Sequence, residues 1–201
     1  MRALVQSIRG EFVRYKQLAD GAIAQVSDEQ LLTHPGGTDT SIAIICRHIA
    51  GNFLSRFTDF LTTDGEKPWR NREEEFDERA GTRADVVEHW ERGWSVLFAS
   101  LDGLTDADLT STVTIRRQPL QVHEALHRSL AHAAYHVGQI VYLAKAMRGD
   151  DWRSLSIPRG MSAAYNKNPD RERVAGVAGG AAGAEGGAAA KKASGAGRAD
   201  A

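Results

Sequence analysis

Apolar residues recur along this chain at intervals of three and four, the period of a helix that buries one side. Over residues 2–26 they are Leu4, Ile8, Phe12, Tyr15, Leu18, Ala22 and Val26. Ser27-Asp28-Glu29 opens a short turn, and His34-Pro35-Gly36-Gly37 is a firm break. Asp39, Thr40 and Ser41 then offer side-chain oxygens to cap a second helix running to about residue 61, with Ile42, Ile45, Ile49, Phe53, Phe57 and Phe60 on its apolar side. A polar connection over residues 62–81 leads to a third helix at about 82–101, whose core face is Val86, Val87, Trp90, Trp94, Leu97 and Leu101. Residues 104–109 read as a capped turn. Thr112-Val113-Thr114-Ile115 alternates polar and β-branched residues, as a short extended segment or hairpin arm does. Pro119 suits the first turn of a fourth helix, which continues to about residue 148 and is stopped by Gly149. A non-helical arm follows at 155–161, too apolar to float free.

Four long amphipathic helices with little strand signal predict an all-α fold, a four-helix bundle whose long second connection is able to cross the bundle. The domain is expected to span residues 1–168. From Gly176 onward the chain is almost entirely Gly and Ala, too poor in apolar bulk to offset the entropy of ordering, so 169–201 is expected to be a disordered tail. A single cysteine, Cys46, excludes an intramolecular disulfide, and residues 1–9 lack the long apolar stretch of a signal peptide. A cytoplasmic location is the expectation. No run of about 18 apolar residues exists to span a membrane. A net charge of −1 gives no electrostatic reason to expect nucleic acid as a partner. The charge run at 70–79 mixes both signs and reads as solvated surface.

Candidate chemistry rests on histidines. His132 and His136 are four residues apart in an apolar segment, so both imidazoles share a helix face, and His48 lies in a distant apolar segment. The spacing alone is cheap, since His123 and His127 repeat it. Phase separates the two pairs: at about 100° per residue, His136 falls on the stripe with Ser129, Ala133 and Ile140, His132 at its margin, and His127 toward solvent. His48 lies at the edge of the stripe of its own helix. Two readings stand. Each histidine is a core residue bonded to a carbonyl or carboxylate, or the three share one ion, as neutral nitrogen ligands with a position left open for chemistry. Asn52, a turn beyond His48, and Arg128, a turn before His132, are candidates to flank the site. Glu124 is a candidate acceptor for an imidazole proton. Tyr135, Gln139, Trp90 and Trp94 read as packing residues and Cys46 as a small buried hydrophobe.

The stretch 41–52, ending Arg47-His48-Ile49-Ala50-Gly51-Asn52, resembles the second helix of the DinB-like (YfiT-like) superfamily. The stretch 123–140, with His132-Ala133-Ala134-Tyr135-His136-Val137-Gly138-Gln139-Ile140, resembles its last long helix. Lys67-Pro68-Trp69-Arg70 and Ser156-Ile157-Pro158-Arg159-Gly160 resemble a subgroup of it with no assigned activity. The resemblance covers roughly residues 2–168. It implies a bundle with a crossed-over connection, a homodimer, and a divalent metal, zinc or nickel, held by His48, His132 and His136. Relatives include thiol S-transferases that use bacillithiol or mycothiol, a thiol-dependent maleylpyruvate isomerase, and proteins labelled metal-dependent hydrolases. The resulting expectation is a metal-dependent enzyme acting on a small molecule. A low-molecular-weight thiol would serve as cosubstrate, in a pocket between the bundle end, the Trp69 connection and the arm near Ser156 and Met161. The alternatives are a metal-dependent hydrolase and a non-catalytic, metal-stabilised scaffold or binding bundle.

Overall fold

A computed structural model describes residues 2–37, 39–77 and 81–169. Four long helices, α1 (Ala3–Ile23), α3 (Ile42–Phe57), α4 (Arg83–Gly103) and α5 (Val122–Arg148), carry nearly all of the core. Two short helices, α2 (Asp28–Leu32) and α6 (Ser162–Tyr165), one hairpin of β1 (Thr112–Ile115) and β2 (Gln118–Gln121), and four short 3₁₀ turns complete the order among the described residues. Local chemistry sets the helix starts. Ser27 and Gln30 form a capping box on α2, Ser41 accepts the Ile44 amide at the head of α3, and Thr82 and Asp85 cap each other's backbone on α4. Gly149, at φ 53°, ends α5 where the backbone turns left-handed.

The ends of the helices give their directions. Arg2 at the head of α1 donates to the carbonyls of Leu101 and Leu104 at the tail of α4. Arg83 at the head of α4 donates to Ile23 and Val26 just past α1, while Gln30 reaches Met147 at the tail of α5. Gly65, beyond the end of α3, bonds to Thr114 in the hairpin that leads into α5. Hence α1 and α5 run one way and α3 and α4 the other. Since α3 packs along α4 and runs parallel to it, the connection 58–82 must return the length of the bundle. The expected crossover is this segment.

In the core, Phe53 meets Phe12 and Trp94 edge to face, at ring-centroid distances of 6.0 and 4.8 Å, tying α1, α3 and α4 together. Trp90 and Trp94 are buried, as the stripe required, and Cys46 is too. Gly93 lets α4 approach α3 so closely that a Cβ there would lie 2.6 Å from the Ala50 Cα. Leu4 departs from its stripe, exposed to solvent while Val5 takes the core position. Among the described helices, none is long and apolar enough to cross a membrane.

Pro119 corrects one expectation. It lies in β2, opposite Thr114, and α5 begins only at Val122. An edge strand has no neighbour for the missing amide donor, so proline is as well tolerated there as at a helix start. The hairpin turn is Arg116-Arg117, both at positive φ (53° and 62°), where Asn-Gly would sit with less strain. The Asp64 carboxylate braces it, accepting the amides of Arg116 and Arg117 at 2.8 and 2.7 Å. Of the tail expected at 169–201, residues 170–201 lie outside the described residues.

Candidate metal centre

His48 projects from the buried side of α3, and His132 and His136 project from consecutive turns of α5, which runs antiparallel beside it. Their rings pack at centroid distances of 5.1, 4.9 and 4.5 Å, and one nitrogen from each lies within 4.8 Å of the others. The Nε2 atoms of His48 and His132 are 3.1 Å apart. A tetrahedral ion with nitrogen bonds of about 2.0–2.1 Å holds its ligands about 3.3 Å apart, so the three rings are already near coordination distance.

Neighbouring groups fix which nitrogen faces inward. His48 donates from Nδ1 to Glu75 Oε2 at 2.9 Å, and Glu75 is gripped by Arg70 through two bonds of 2.8 and 2.9 Å. His136 donates from Nδ1 to Gln139 Oε1 at 2.7 Å. Both therefore present an Nε2 lone pair to the shared space. The carboxylate of Glu75 sits over Gly51, one turn past His48, where a Cβ would come within 2.8 Å of its Cδ. His48 is 5% exposed, and the side chains of Arg70 and Glu75 are 3% and 10% exposed.

Burial, then repulsion from His136 and His48 and from Arg70 and Arg56, pushes the His132 imidazole down to about 3. Burial also lowers His136, outweighing the Gln139 hydrogen bond that favours its proton. For Glu75, burial favours the neutral acid, but its bonds to His48 and Arg70 outweigh that and hold it below the usual carboxylate range. At neutral pH the site thus offers neutral His132 and His136 imidazoles and one ionised carboxylate, that of Glu75.

These observations test whether a cation fits. Without one, a single Nε2–H shared by His48 and His132 accounts for their contact, but His136 Nε2 has no partner among the described residues. A cation shared by the three Nε2 atoms turns each inward lone pair into a bond. The donor set fits a divalent transition metal.

A cleft of about 170 Å³ opens beside His48 and His132 and is lined also by Asn52 and Arg128, the two flanking residues proposed from the sequence. The remaining candidates go elsewhere. His123 donates to the Leu109 carbonyl, His127 is exposed, and Glu124 caps α5 by accepting the Gln121 amide. Trp69, 59% exposed, lines a different and larger cavity of about 780 Å³ on the α3–α4 side, and no residue of the arm at 155–161 lines either cavity. Leu155 packs instead against Gly21.

The match is to DUF1572, a protein family of unknown function, over residues 1–161. The chain belongs to this family. The matched span holds all four long helices, the crossover and every residue of the histidine cluster. No curated protein and no solved structure matches the chain.

Within this DUF1572 fold, sequence reasoning missed three supports. Arg70 and Glu75 lie in the run read as solvated surface, yet both are buried against His48. A charge run in a connection has no periodicity to reveal burial, so the expectation failed there. Gln139 was assigned to packing, although it stands three residues after His136, a helical neighbour spacing that could have disclosed it.

Proposed function

We propose that this protein is a divalent-metal-dependent enzyme, a thiol S-transferase in which a low-molecular-weight thiol is cosubstrate and a small electrophile is substrate. The carrying observation is the convergence of three imidazoles, two of which have their outer nitrogens committed to Glu75 and Gln139. His48, His132 and His136 would hold the ion, for which zinc and nickel are the leading candidates although imidazole nitrogen suits copper and iron as well. When bound, the ion supplies Lewis acidity that lowers the pKa of a coordinating thiol. Glu75 and Arg70 keep His48 in one tautomer and orientation, and Gln139 does so for His136. Asn52 and Arg128, at the cleft, orient the reacting partner.

Hydrolysis is the second reading, and it lacks a general base: no carboxylate lines the cleft among the described residues, and Glu66 and Glu75 nearby are engaged by arginines. Membership of the DinB-like superfamily is proposed on the same grounds. The helix directions with one crossover, and one histidine on α3 with two on α5, support it. A homodimer is proposed with it, through the outer face of α5, where Tyr135 and Tyr142 are 65% and 72% exposed. Light scattering giving a monomer mass at micromolar concentration removes the dimer.

Metal content of the untagged protein tests the central reading. About one divalent ion per chain, lost in His48→Ala and in His136→Ala, is expected. No ion after reconstitution with zinc and nickel returns the histidines to the core. With the ion in place, consumption of bacillithiol, mycothiol or glutathione against a panel of electrophiles separates transfer from a scaffold role.

A further inference from the structure

The cleft beside His48 and His132 has an unusual wall. Arg56, Arg70, Arg72, Arg116 and Arg128 all line it, and no aspartate or glutamate does among the described residues. Three carboxylates partner these guanidiniums: Glu66 takes Arg56 and Arg116, Glu75 takes Arg70, and Glu73 takes Arg72. Five charges against three leave the wall with an excess of two, in a protein whose overall net charge is −1. Arg128 has neither an ion pair nor a hydrogen bond among the described residues. The turn that carries Arg116 adds a second, independent observation. Its left-handed backbone costs a non-glycine residue roughly 1 kcal/mol or more, and it places the Arg116 guanidinium at the cleft mouth.

We infer that this cleft takes a substrate through an oxyanion group, a carboxylate or a phosphate, with Arg128 and Arg116 as its principal contacts. The inference deepens the metal-enzyme reading and rests on it for the claim that the anion belongs to a substrate. Guanidinium suits this task because its planar fork can donate two parallel bonds to a carboxylate or phosphate. Arg56 and Arg70 each give two nitrogens to Glu66 or Glu75 and supply field rather than contacts, whereas Arg116 gives Glu66 its Nε and keeps its terminal nitrogens for an anion. At about 170 Å³ the cleft is smaller than the roughly 300 Å³ at which drug-sized sites begin, so it seats an anionic group or a small acid and leaves the rest of a larger substrate outside.

Calorimetric titration of the full chain with inorganic phosphate and, separately, with malonate tests this, in metal-free and zinc-loaded protein. Saturable binding of at least one anion is expected in both forms, and the preferred anion identifies the group. Arg128→Gln should weaken it at least tenfold while leaving zinc stoichiometry unchanged. Arg116→Asn should also weaken it at least tenfold, although asparagine suits the turn better and should keep or raise the melting temperature. Arg153→Ala, far from the cleft lining, should leave binding as it was. Absence of saturable binding in the metal-free protein, or binding by both cleft variants as tight as that of the unsubstituted protein, overturns the inference. Failure to retain zinc sinks the metal reading instead, because the metal-free titration reads the anion site on its own.

Discussion

Gly51 matters through what it lacks. A methyl group at this position would overlap the Glu75 carboxylate, so Gly51→Ala is expected to push Glu75 off His48 while leaving the three ligands intact. Zinc affinity, measured by chelator competition, should fall about 10- to 100-fold, the usual effect of losing a group that supports a metal-bound imidazole. Unchanged affinity would mean that Glu75 has no part in holding the ion. Glu75→Ala should lower affinity similarly and also destabilise the metal-free fold by about 3 kcal/mol in urea, because Arg70 is left buried without its partner. The three histidines were legible because α5 has a strong period that puts His132 and His136 inward and His127 outward. Glu75 was not, because its place is set by Arg70, His48 and the gap at Gly51, contacts that only the folded chain creates.

Two glycines in long helices make opposite predictions at the level of the element. Gly93→Ala gains about 1 kcal/mol of helix propensity but forces α4 off the backbone of α3 at Ala50, at about 1–3 kcal/mol for overpacking, so the melting temperature should fall. Gly138→Ala, with nothing within 4 Å of the new methyl, should keep the propensity gain and raise it. The hairpin carries an acid-sensitive brace. Asp64 accepts backbone amides of Glu66, Arg117 and Arg116, which hold its pKa below the usual carboxylate value. Its contribution is therefore complete above the unfolded pKa of about 4 and is lost as pH falls through the folded value. Protection of the Arg116 and Arg117 amides, relative to their intrinsic exchange rates, should fall as pH drops below about 4, and Asp64→Asn should abolish that dependence. Helix existence was readable from the stripes, and the cap at Ser41 from its oxygen. Pro119 misled because two kinds of site tolerate a missing donor equally well.

For the whole molecule, the all-α bundle followed from four stripes, but helix direction did not. It depends on where Arg2, Gln30 and Arg83 find carbonyls at distant helix ends. An ion on His48, His132 and His136 links α3 to α5, so it should stabilise the entire fold. Free zinc at a hundredfold its Kd adds about 2.7 kcal/mol, a rise of about 5–10 °C in melting temperature. A melt that zinc leaves unmoved would show that the histidines do not share it. The histidines sit on long, packed helices, while Arg70 and Arg72 come from the crossover and Arg116 from a two-residue turn. Those two stretches can change in length and sequence without disturbing the helical frame, as surface connections generally do. Relatives that keep the helical frame and Glu75 but vary the rest of these two stretches would therefore inherit the same three-histidine cluster beside a differently charged cleft.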